Sequence, residues 1–273
     1  MEALERDATR TPRTIESGGA PLVRIVPGSG PVVAVALHAG HLVRPELDDI
    51  LAITQDERLR EEDPSTADMA PRGITRIEAV RSRFEVDLNR PRSRAVYRGP
   101  KDTWGLNTYR SELPDDARRL SRAVYDAFYR EAESVLTRLA DEHGRFVVLD
   151  LHSYNHRRSG ASAAAEPAID NPEVNLGTGR LDRARWTPVV EGFSAVMRAE
   201  GFDCRENVKF RGGHFAQWVA ETFPQTGVVL AIEFKKTYMD EWTGCVDEVA
   251  VARIRSALDA AVPVISAALA ETV

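Results

Sequence analysis

Cysteine is scarce in this chain and long apolar runs are missing, and each shortage closes off a class of protein. Only Cys204 and Cys245 occur among 273 residues, and neither sits in a Cys-x-x-Cys pair. Thiolate metal centres and dithiol chemistry are therefore not expected, and a reducing cytoplasm is the simplest compartment. No apolar stretch approaches the roughly 18 residues of a membrane span. The first twenty residues are polar and charged, without the apolar segment of a secretory signal, and are expected to form a flexible N-terminal arm. An excess of basic charge is also missing: the net charge is −6, which gives no general attraction to nucleic acid or to an anionic membrane. There is no internal repeat and no composition break, so residues 21–273 are expected to form a single domain.

What is present is a core and a pattern of strands. Apolar residues make up 43% of the chain, enough for a full hydrophobic interior. Three Val-, Leu- and Ile-rich runs read as interior strands of a sheet covered on both faces. Val32 to Leu37 leads into His38, Phe146 to Leu151 leads into His152, and Val228 to Ile232 leads into Glu233. Ligands of open α/β sheets sit at the carboxyl ends of the strands, so the pattern gathers two imidazoles and a carboxylate in one crevice.

Further strands are expected at Leu22 to Val26, Thr75 to Val80 and Arg83 to Leu88. A helix is expected from Pro45 to Leu59, followed by an acidic loop from Arg60 to Ala70. The clearest helix runs from Pro114 to His143, with Asp115 and Asp116 at its start and Gly144 at its end. Residues 156–182 lack periodicity and read as a long loop or flap over a site, with Asn171, Glu173 and Asn175 as possible contacts. Helices follow at 183–200, 213–223 and 246–271.

A catalytic zinc needs three protein ligands and one open position for water. His38 and His152 supply two, and the third is open between His41, Glu62 and Asp63. Asp150 lies two residues before His152, on the same face of a strand, where it can accept the ring N–H of a metal-bound histidine. Glu233 is either a general base or the partner of Lys235 or Lys236 in a structural ion pair. Asn89 and Arg90 offer a polar group and a planar fork suited to a carboxylate, Arg83 adds a nearby cation, and Arg157 or Arg158 could face an oxyanion.

The segments VALHAGH, LREEDPSTAD, SRFEVDLNR, LDLHS and AIEFKKTYMDE, spanning residues 32–241, resemble the N-formylglutamate amidohydrolase family, which is related to zinc carboxypeptidases and aspartoacylases. The resemblance implies an α/β, carboxypeptidase-like (phosphorylase/hydrolase-like) fold with a mixed sheet sandwiched by helices. It implies one zinc ion per chain, bound by His38, His152 and a carboxylate, with Asp63 favoured and Glu62 beside it. It also implies Asn89, Arg90 and Arg83 as holders of a substrate carboxylate and Glu233 as the general base and acid. Carboxypeptidase relatives carry His-x-x-Glu after the first strand, whereas the fourth position here is His41. The expected function is zinc-dependent cleavage of a small N-acyl amino acid such as N-formylglutamate. The alternatives are a zinc carboxypeptidase or deacylase on a larger peptide-like substrate, and a non-catalytic carboxylate-binding protein. The expected partner is a small carboxylate-bearing amide, with no nucleic acid and no membrane.

Overall fold

A computed structural model of the chain describes residues 11–17 and 20–272. Its frame is an eight-stranded mixed sheet of order β1-β2-β4-β3-β5-β8-β6-β7. The strands are β1 (Arg13–Ser17), β2 (Ala20–Val26), β3 (Val32–Ala36), β4 (Thr75–Ala79), β5 (Phe146–Tyr154), β6 (Val174–Gly177), β7 (Cys204–Glu206) and β8 (Gly227–Lys235). The four central strands β4, β3, β5 and β8 run parallel, so their carboxyl ends share one edge. β2 and β6 flank them in the antiparallel sense.

Alternation along the central strands explains why these runs are apolar throughout. Val32, Ala34, Val147, Leu149, Leu230 and Ile232 face a core shared with α5 (Thr187–Ala199) and α7 (Glu248–Glu271). Val33, Val35, Phe146, Val148 and Val229 face a second core under α4 (Asp115–His143) and α6 (His214–Thr222). Each fully buried side chain of this kind contributes about 1.5–3 kcal/mol. The expected mixed sheet between helical layers is therefore present. No helix among the described residues is long and apolar enough to cross a membrane.

Five expectations change. Residues 1–10 of the expected arm lie outside the described residues, and Arg13–Ser17 is an edge strand on β2 rather than loose chain. The helix expected from Pro45 to Leu59 is split into α1 (Pro45–Asp48) and α2 (Gln55–Glu61). Leu51 bridges Tyr109 between them, and Thr54 restarts the helix with a capping box to Glu57. The acidic loop at 60–70 contains the short helix α3 (Thr66–Met69). Arg83 to Leu88 forms turns rather than a strand: the Glu85 and Val86 N–H groups donate back to the Ser82 carbonyl at 3.0 and 3.2 Å, while Phe84, Val86 and Leu88 are buried in apolar cores and Glu85 and Asp87 in ion pairs. Finally, the 156–182 segment holds strand β6, whose four residues are too few to show a period beside Gly, Pro and Asn.

Candidate active site

The site forms at the shared carboxyl edge of the parallel strands. β3 delivers His38 just past its last residue, and β5 carries Asp150 and His152. His152 is the register partner of Glu233 on β8, so the two side chains stand side by side on one face. Both histidines are almost fully buried, and their ring centroids lie 4.9 Å apart.

Asp63 is brought to them by the loop after α2. Its backbone N–H donates to the His38 carbonyl at 2.9 Å. The buried ammonium of Lys236 donates to the carbonyls of Arg60 and Glu62, each at 2.6 Å, and so ties this loop to the end of β8. Burial pushes the Lys236 amine down to about 8. Asp63 Oδ2 then lies 3.0 Å from His152 Nδ1 and 3.3 Å from His38 Nδ1, and Ser153 Oγ donates to Oδ1 at 3.2 Å. Burial opposes the charge on Asp63, but the His152 and His38 rings outweigh it and hold the carboxyl well below its ordinary value.

The other two residues considered as third ligand turn elsewhere. His41 Nδ1 lies 2.5 Å from Glu62 Oε2, and the Ser82 hydroxyl donates to Glu62 Oε1. Glu62 and His41 thus satisfy one another outside the His38, Asp63 and His152 group.

These three residues fit a metal ion. One ligand atom from each lies within 4.8 Å of the others. The buried Nδ1 of His38 has no hydrogen-bond partner, although Asp63 Oδ2 is 3.3 Å away. Such an orphan nitrogen is costly unless something else takes its lone pair. The opposite nitrogen of each ring is backed by a carboxylate: His38 Nε2 lies 2.8 Å from Asp87 Oδ1, and His152 Nε2 lies 3.0 Å from Asp150 Oδ1. Two nitrogens and one oxygen with carboxylates behind the rings form a donor set suited to zinc.

A cleft of about 250 Å³ opens over this group, and Glu233 lines it. The Glu233 carboxylate has no hydrogen-bond or ion-pair partner among the described residues. Lys235 donates to the Asn171 carbonyl and Lys236 to the loop carbonyls, so neither forms the structural ion pair weighed from the sequence. Burial, reinforced by the charges of Asp63 and Asp150 and opposed by His152 and Arg83, pushes the Glu233 carboxyl up to about 8.

Arg83, Asn89 and Arg90 all line the cleft, but their polar atoms are engaged. Arg83 donates to Asp87, to the Tyr97 hydroxyl and to the Glu61 carbonyl, each at 3.1 Å. Arg90 Nε lies 3.2 Å from Asp87, its other nitrogens reach Asp102, and it stacks on Tyr97. Asn89 Oδ1 accepts from the Phe215 N–H at 2.9 Å, and its Nδ2 lies 3.2 Å from His152 Nε2. This close docking of α6 requires Gly213, where an added Cβ would lie 2.4 Å from the Asn89 amide. Arg158 lines the cleft and pairs with Glu61, whereas Arg157 pairs with Asp240 and does not line it. Asn171, Glu173 and Asn175 also stay out of the cleft and bind backbone or side chains around β6 and β7.

A family model described as N-formylglutamate amidohydrolase matches residues 30–239, which contain every residue that lines the cleft. The chain belongs to the N-formylglutamate amidohydrolase family. It is thereby a hydrolase of non-peptide amide bonds. An N-formylglutamate deformylase of Pseudomonas aeruginosa is 27% identical over 229 residues, covering 78% of this chain and 84% of that protein. The crystal structure of an N-formylglutamate amidohydrolase from Ralstonia eutropha superposes with a TM-score of 0.71 at 16% identity, over 92% of this chain and 99% of that one. A gene product of Agrobacterium tumefaciens superposes at 0.65 and 15% identity, over 92% and 98% of the two chains.

Within this family member, sequence reasoning missed three groups. Asp87 appeared only as part of a strand end, yet it collects His38, Arg83, Arg90 and the Tyr97 hydroxyl. An acid flanked by buried Val86 and Leu88 was the available signal. Tyr97 carried none. Lys236 was read only as a partner for Glu233, and its reach to the loop beyond α2 depends on the fold.

Proposed function

We propose that this member of the family is a zinc-dependent amidohydrolase that releases formate from N-formylglutamate or a closely similar N-acyl amino acid. The observation that carries the reading is the convergence of His38, His152 and Asp63 beside a partnerless Glu233 carboxylate in one small cleft. A cleft of about 250 Å³ suits one acyl amino acid better than a peptide.

His38 Nδ1, His152 Nδ1 and Asp63 Oδ2 would hold the metal. Zinc there supplies Lewis acidity, making water acidic near a pH of roughly 7 and polarising a carbonyl. Asp87 and Asp150 hold the protons of the two rings on Nε2, which turns each Nδ1 lone pair toward Asp63. Glu233 takes a proton from water as the water oxygen attacks the formyl carbon. It then passes that proton to the amide nitrogen as the C–N bond breaks, leaving formate and the free amino acid. Arg83, Arg90 and the Asn89 amide face the substrate α-carboxylate, and Arg158 faces the developing oxyanion.

The test is direct. Purified protein loaded with zinc and supplied with N-formyl-L-glutamate should release formate and glutamate in equal amounts, and a chelator should stop it. Absence of turnover across a panel of N-formyl and N-acetyl amino acids, with zinc bound, would overturn the reading.

A further inference from the structure

The cleft is lined by four arginines, and three already pair with protein carboxylates. Arg83 and Arg90 share Asp87, Arg90 also meets Asp102, and Arg158 forms a two-nitrogen pair with Glu61 at 3.3 and 3.1 Å. Arg211 differs: no acceptor engages its guanidinium among the described residues. Its side chain is exposed, whereas those of Arg83 and Arg90 are 12% and 22% exposed, so it stands at the rim and they stand deeper.

Its backbone, by contrast, is fixed. Gly179 N–H donates to the Arg211 carbonyl at 2.8 Å. The preceding turn is held by buried Asn175, whose Oδ1 accepts from the N–H groups of Lys209 and Phe210 at 2.8 and 3.2 Å, and whose Nδ2 donates to the Phe210 carbonyl at 2.9 Å. A free cation on a rigid mount at the mouth of a catalytic cleft is a preorganised anion clamp.

We propose that Arg211 is a specificity-determining residue that pairs with the side-chain carboxylate of a dicarboxylic N-acyl amino acid. The inference rests on the amidohydrolase reading for its substrate. With the scissile amide beside Glu233, the α-carboxylate lies close to the floor near Arg83 and Arg90. A carboxylate two methylenes farther along reaches outward to the rim. There Arg211 offers a planar fork that no carboxylate engages among the described residues.

The experiment compares N-formyl-L-glutamate with N-formyl-L-glutamine, which keeps the α-carboxylate and loses the distal charge. It uses wild type, Arg211→Ala and Arg211→Lys, and also measures binding of L-glutamate and L-glutamine by calorimetry. In Arg211→Ala the KM for N-formylglutamate should rise by about tenfold or more while kcat stays within about twofold, so that the preference for the charged substrate collapses. Arg211→Lys should recover part of it, and L-glutamate binding should weaken in parallel with KM. A preference within about twofold of wild type, or an equal loss on both substrates, overturns the proposal. If the wild type turns over neither compound, the amidohydrolase reading fails, and calorimetry still decides about Arg211. Glutamate binding that depends on Arg211 supports its role, and binding that ignores Arg211 or is absent overturns it.

Discussion

Replacing Asp87 by Asn tests how the site is held. Asp87 is 1% exposed, and it faces His38 Nε2 at 2.8 Å, Arg83 at 3.1 Å, Arg90 at 3.2 Å and the Tyr97 hydroxyl at 2.6 Å. The amide keeps the shape but removes the charge, and its NH₂ meets donors. Breaking a buried pair by removing one partner costs about 3–5 kcal/mol, and the low end applies here because Arg90 retains Asp102. For a chain of this size, about 3 kcal/mol lowers Tm by roughly 6–9 °C. Removing the carboxylate behind a metal-binding histidine also weakens metal affinity by roughly 10- to 100-fold.

The effect should depend on pH. Burial opposes the charge on Asp87, but Arg83 and His38 outweigh it and hold the carboxyl well below its ordinary value. A depressed folded-state pKa gives stability that is fully present above the unfolded value of about 4 and is lost as pH falls through the folded one. The gap between wild type and Asp87→Asn should therefore narrow below a pH of about 4. Thermal and urea unfolding of metal-free protein across pH, with chelator competition for zinc, measure both effects. A Tm within about 2 °C of wild type together with zinc affinity within about twofold would refute the role given to Asp87.

Glu233→Gln should keep bound zinc and lose roughly 10²- to 10⁴-fold in kcat, and near-normal turnover would remove Glu233 as the base. Because Glu233 is raised to about 8 in the fold, its ionisation destabilises the metal-free protein progressively from a pH of about 4.5 up to about 8. Glu233→Gln should accordingly gain stability over wild type across that window, and a constant difference in unfolding midpoints would contradict the shift. Lys236→Met leaves two loop carbonyls without their donor, so a loss of about 2 kcal/mol and weaker zinc binding are expected in unfolding and chelator titrations. Unaltered zinc affinity would separate Lys236 from the placement of Asp63. Gly213→Ala forces a Cβ to within 2.4 Å of the Asn89 amide and should reduce kcat by about tenfold, whereas Gly99→Ala, with nothing within 4 Å, should be silent. Equal kinetics for the two variants would deny Asn89 a role in the cleft.

Much of the frame was legible because continuous apolar runs can be buried on both sides only in central strands. That alone put His38, His152 and Glu233 at strand ends, and the parallel pairing of β3, β5 and β8 brings those ends together. The segment from Arg83 to Leu88 misled for a physical reason. Alternation signals a strand when one set of side chains is wet, and here Glu85 and Asp87 are as buried as their apolar neighbours. Strand β6 was hidden by its brevity.

The sequence by itself determined the strand-end residues, the two-residue spacing that sets Asp150 behind His152, and the family to which the chain belongs. Only tertiary structure places Asp63, rather than Glu62 or His41, beside His38 and His152. Glu62 and Asp63 are adjacent in sequence, and the hydrogen bond from Asp63 to the His38 carbonyl and the grip of Lys236 set which carboxylate faces the imidazoles. It likewise decided that Arg90 is held by protein carboxylates while no acceptor engages the Arg211 guanidinium among the described residues. Sequence records which residues carry charge, but whether a charge is already neutralised depends on what folding places within about 4 Å of it.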